Sequence, residues 1–110
     1  MILAILADAS KIETLLNNLS EADFDLHDVS VIMQDVTTRN KIAHDTGPLR
    51  HANVAQLPAN LMKAGVNSDL ANRGSEAVKN GKVLVAMKVD PKYEQSARQM
   101  FQDMAAEFLS

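Results

Sequence analysis

The sequence predicts an α+β fold, a ferredoxin-like variant in which helices pack on a three-stranded sheet in the order β-α-β-loop-α-α-β-α. Three observations carry this. Residues 1–7 form an unbroken apolar run, while residues 29–34 and 82–89 are rich in β-branched side chains and alternate, the marks of one central and two half-buried strands. Apolar residues at helical spacing fill the segments that follow the first and third strands. A chain of 110 residues, 46% hydrophobic but only 4% aromatic, suits one domain, residues 1–110, with a compact aliphatic core. The alternation of strands and helices also fits a parallel three-stranded α/β sheet, and the periodicity alone does not choose between the two.

In chain order, the apolar run of residues 1–7 ends at Asp8 and is placed mid-sheet. Ser10 and Glu13 have the spacing of a capping box, and Ile12, Leu15, Leu16 and Leu19 form one helical stripe. Turn residues around Phe24 and Leu26 reverse the chain into the second strand, which puts Val29, Val31 and Met33 on one face. Residues 36–56 lose the apolar period, and Gly47-Pro48 forces a turn or extended segment. Residues 57–64 read as a short helix with Pro58 in its first turn and Gly65 behind it. Asn67 or Ser68 then caps a helix reaching Lys79, which Asn80-Gly81 ends. The third strand shows Val83, Val85, Met87 and Val89 on one face and Leu84 and Ala86 on the other. Asp90-Pro91 opens a last helix whose Ala97, Met100, Phe101, Met104, Ala105, Phe108 and Leu109 share a side almost to the final residue.

Composition excludes several chemistries. The chain has no cysteine, which removes disulfides, thiolate zinc sites, iron–sulfur clusters and cysteine nucleophiles, and fits a cytoplasmic setting. The apolar start lacks a basic leader and is too short for a signal peptide, and no run nears the roughly 20 residues of a membrane span. A net charge of −3 disfavours nucleic acid as the partner. No serine lies in a Gly-x-Ser-x-Gly context, and glycines at 47, 65, 74 and 81 make no phosphate-binding loop. Asp8, at the end of the first strand, reads as a helix cap before it reads as a functional carboxylate. No catalytic residue, cofactor or metal is assigned. His44, Asp45 and His51 lack a ligand spacing and a fourth donor, and Gly47-Pro48 interrupts the helix that would align the histidines.

Phe24, Asp28-Val-Ser-Val-Ile, Ala64-Gly-Val66 through Ala71, and Glu76-Ala-Val-Lys-Asn-Gly-Lys-Val-Leu-Val-Ala86 together give a pattern over most of the chain. It resembles the small ferredoxin-like domains of the bacterial heat-induced general stress protein family. The matching glycines and valines are structural. The resemblance implies a non-enzymatic, stress-related accessory or regulatory module working through protein interaction, with no catalytic residues to carry over. Arg73-Gly74 departs from the family's helix.

Two surfaces are candidates for contact. Arg39, Lys41 and Arg50 against Asp45 give residues 36–56 a charge of +2 on an otherwise acidic chain, and His44 and His51 add charge below about pH 6.5. Arg39, Lys41, His44, Arg50 and His51 are therefore expected to meet a protein partner or a small anionic ligand. Met100, Met104 and Phe108 lie on the soft stripe of the last helix, first of all a core contact and otherwise an interface. The second faces of strands two and three need the short helices, the irregular segment or another subunit to cover them, so a homo-oligomer is expected. The alternative function resembles the PII-like signalling group, in which an anionic metabolite binds between subunits and a long loop reports it.

Overall fold

The computed structural model describes residues 1–35, 37, 38, 41 and 57–110. Four strands, β1 (Ile2–Leu6), β2 (Val29–Ile32), β3 (Val83–Met87) and β4 (Glu107–Phe108), form one sheet in the order β2-β3-β1-β4. Every pairing is antiparallel, with Ile2 opposite Met87, Val29 also opposite Met87, and Ala4 opposite Phe108. This removes the parallel alternative and adds a strand to the three expected. Strand direction is set by the connections, which apolar periodicity does not encode.

Among the described residues four helices with defined bounds accompany the sheet: α1 (Ile12–Glu21), α2 (Leu57–Lys63), α3 (Ser68–Lys79) and α4 (Glu94–Asp103). Both sheet faces are covered. On the first, Ile2, Ala4, Leu6, Val29, Val31, Val83, Val85 and Met87 meet Ile12, Leu15, Leu16 and Leu19 of α1 and Ala97 and Phe101 of α4. On the second, Leu3, Ile5, Ile32, Leu84 and Ala86 meet Leu57 and Leu61 of α2 and Ala71, Ala77 and Val78 of α3. The continuous apolar run of β1 follows directly, since a strand inside the sheet and covered on both sides has no solvent-facing position. The chain's own α2–α3 pair covers the second face, so that face supplies no argument for a second subunit.

Local chemistry fixes the starts of the helices. Asp8 accepts from the Ser10 amide at 2.9 Å and from its hydroxyl, capping a 3-10 turn that leads into α1. Asp8 is thus the cap, and the expected Ser10–Glu13 box is replaced by this turn. Asn67 Oδ1 accepts from the Leu70 amide at 2.9 Å to cap α3. Asp90 accepts from the Lys92 amide at 3.1 Å, with Pro91 in the first turn, before α4.

All four helices end on the same device, a residue with positive φ followed by an amide that reaches back five residues. Phe24 donates to the Leu19 carbonyl, Val66 to Leu61, Lys82 to Ala77 and Ala106 to Phe101. The positive-φ residues are Gly65 and Gly81 behind α2 and α3, but Asp23 (67°) and Ala105 (58°) behind α1 and α4. The last helix is therefore shorter than its apolar stripe, and Phe108 lies on β4 opposite Ala4 and not on α4 itself. Its ring centroid is 6.1 Å from that of Phe101. The Arg98 guanidinium lies 5.1 Å from the Phe108 ring centroid, donates to the Ser110 carbonyl at 3.2 Å and pairs with Glu94 at 3.6 Å, tying β4 to α4.

Candidate functional site

Side chains of opposite parity on the strands build the second face row by row. Ser30 and Ala86 are direct cross-strand partners, and Leu3 pairs with Ala86 from the other side. Beyond this row the ladder continues one step, because the Lys88 amide donates to the Asp28 carbonyl at 3.0 Å. Asp28, Lys88 and Met1 are exposed, whereas Leu3, Ser30 and Ala86 are buried. The cover supplied by α2 thus ends over the short side chains Ser30 and Ala86, and a cleft of about 320 Å³ opens there. Its floor is Met1, Ser30 and Ala86, its rim Asp28 and Lys88, and its wall Asn60 and Lys63 of α2 with Ala64 just behind the helix.

The cleft combines an apolar floor with a charged rim. Lys63 and Lys88 are exposed, and among the described residues neither forms an ion pair within 4 Å. Asp28 is the acidic group in the lining. The Ser30 side chain is buried at 4% exposure and Asn60 is half-buried, which places a hydroxyl and an amide beside the apolar surface. This arrangement can hold a small molecule by burial and charge.

The residues singled out by the sequence fall elsewhere. Arg39, His44, Arg50 and His51 lie outside the described residues. Lys41 is exposed and helical, and Asp35 accepts from the Thr38 amide at 3.0 Å and from its hydroxyl at 2.6 Å. Those two bonds, hydroxyl first, hold the Asp35 carboxyl below its usual range. Met100, Met104 and Phe108 are half-buried and pack against the first-face core. The structure brings them together at that core, on α4, its C-cap and β4. Sequence reasoning missed the cleft residues as a group. The signal available was parity, since Ser30 and Ala86 with Lys88 fall on the same side of their strands.

Among the described residues no three His, Cys, Asp or Glu side chains gather as metal ligands, and no helix is long and apolar enough to cross a membrane. Comparison of the chain with family models, with curated proteins and with solved structures gives no match.

Proposed function

We propose that the protein is a non-catalytic accessory or regulatory module that works by binding, with the cleft at the open end of its second sheet face as the receiving site. The observation that carries this reading is the pair of lysines, Lys63 and Lys88, that stand on two different elements around one preformed recess and form no ion pair among the described residues. The fold is read as a ferredoxin-like variant. Setting aside α2 and α3, the order becomes β-α-β-β-α-β, and the helical pair is then an insertion between β2 and β3 that covers one face. An insertion that roofs a sheet and stops short of its end supplies the site, with one wall of the recess on the inserted α2 and the floor on the sheet. The stress-related role rests on the sequence resemblance, and a cytoplasmic location on the cysteine-free composition.

The test is a thermal-shift screen of the purified protein against metabolites, repeated with Lys63→Gln and Lys88→Gln. A ligand that raises the melting temperature of the parent and less so that of the variants supports the reading. Stabilisation indifferent to both substitutions removes it. A second reading keeps the basic segment as the contact, because Lys41 stands exposed on its helical turn. In that case a protein partner captured by the parent chain is lost when Arg39, Lys41 and Arg50 are replaced together. The PII-like alternative requires an oligomer with ligand between subunits, and a monomer in light scattering excludes it.

A further inference from the structure

The chemistry of the cleft narrows what it takes. We propose that its ligand is a small amphipathic anion, an organic carboxylate whose apolar body lies on the sheet floor while its head bridges Lys63 and Lys88. This deepens the binding reading above and rests on it.

Three observations converge. The recess exists because Ser30 and Ala86, directly opposite each other, are short, so the missing side-chain volume lies on the floor and is bordered by Met1 and Ala64. An apolar body gains there by leaving water, which a bare inorganic ion does not. The two lysines approach from separate elements, α2 and the end of β3, so that one head group between them replaces two separately hydrated ammonium groups. Asp28, just before β2 and joined through its carbonyl to the Lys88 amide, opposes a second negative charge and therefore selects a monoanion over a multiply charged phosphate ester. At about 320 Å³ the recess is at the small end of the roughly 300–1,000 Å³ range of ligand sites, which limits the body to a short chain or a single ring.

The probes are octanoate, octylammonium, 1-octanol and acetate, titrated into the full chain and followed by backbone amide resonances. Octanoate is expected to move Ser30, Ala64 and Ala86 together. Octylammonium, with the same body and the opposite head, and acetate, with the same head and no body, are expected to bind at least about tenfold more weakly. Lys63→Gln and Lys88→Gln, both at exposed positions, should each weaken octanoate about tenfold while leaving the spectrum of the free protein otherwise unchanged. Equal binding of octylammonium, or of acetate, or octanoate affinity untouched by either substitution, overturns the proposal. If octanol or octylammonium shifts the cleft resonances and octanoate does not, the cleft is a binding site for another class and only this inference fails. If none of the four probes moves these resonances, the inference and the binding reading fail together.

Discussion

The two faces of the sheet are built to different standards. On the first, large side chains interlock: Phe101, Ile2, Leu6, Ile12, Leu15, Leu19 and Met87 are all fully buried, and the Phe101 and Phe108 rings pack 6.1 Å apart. On the second, α3 approaches through Ala71, Gly74, Ser75 and Ala77, and both buried polar residues found among the described ones, Ser30 and Ser75, lie on this side. The first face is a stabilising core from end to end. The second also buries large side chains, Leu3, Leu57, Leu61 and Leu84, but α3 meets it through small residues, and beside Ser30 and Ala86 the cover leaves a recess. The recess lies on the surface of the strands opposite the cluster that holds Phe101, so on the binding reading proposed above it can be altered without loosening that cluster.

The sharpest way to break this comparison is to damage the first face. Phe101→Ala removes a fully buried ring and is expected to cost about 4 kcal/mol in chemical denaturation, a large share of the stability of a domain this size. A cost below about 2 kcal/mol would mean that the first face is not the principal core. On the second face the expected failure is overpacking. A Cβ at Gly74 would come within 3.0 Å of Leu84 Cδ2 and 3.3 Å of its Cδ1, with Leu84 itself fully buried. Gly74→Ala therefore destabilises by about 1 kcal/mol net, since the strain exceeds the gain in helix propensity. A stabilised variant would show that the cover is looser than this fit implies.

Two smaller effects separate the faces further. Ser75 Oγ is buried and makes no hydrogen bond, so Ser75→Ala should be neutral or stabilise by up to about 1 kcal/mol. Loss of more than that would reveal a polar role for the hydroxyl. On the first-face side, Ala105 holds φ at 58° where the helices of the second face use glycine. Ala105→Gly relieves that strain at the cost of a more flexible unfolded chain, for a net stabilisation of about 0.5 kcal/mol in the same denaturation assay.

Ala105 also explains where the sequence could be read and where it could not. Strand parity and helical stripes identified both faces, because burial is a property of period. Gly65 and Gly81 marked the ends of α2 and α3, because glycine is the residue that takes positive φ without strain. At Asp23 and Ala105 ordinary residues take the same backbone without a glycine to mark it, and the stripe of α4 ran on into Phe108 and Leu109 with no local sign that the chain becomes a strand. The cleft was illegible for a different reason. It depends on where α2 stops relative to the row of Ser30 and Ala86, a distance between elements far apart in sequence. Of the basic candidates only Lys41 falls among the described residues, so the charge of residues 36–56 has its meaning in the sequence alone.

The smallest expected effect concerns acid. Asp8 is held below its usual carboxylate range by the Ser10 hydroxyl and then the Ser10 amide, Asp25 by the His27 amide and then its ring, and Asp35 by the Thr38 hydroxyl and then its amide. Each carboxyl binds a proton less readily in the folded chain than in the unfolded one. Their contribution is present above the ordinary value of 3.8 and is lost as pH falls through the lower folded values. Asp8 begins α1 and Asp25 accepts its bonds just before β2, whereas Asp35 starts the turn that leaves the sheet. Asparagine at these positions still accepts the backbone bond but does not titrate. Urea midpoints measured from pH 5 down to pH 2.5 should therefore fall more steeply for the parent than for an Asp8→Asn, Asp25→Asn, Asp35→Asn chain. Identical slopes would mean that the caps are made equally well by neutral acids. A slope restored by returning Asp8 alone would locate the acid sensitivity at the first face, beside the helix that does most to cover it.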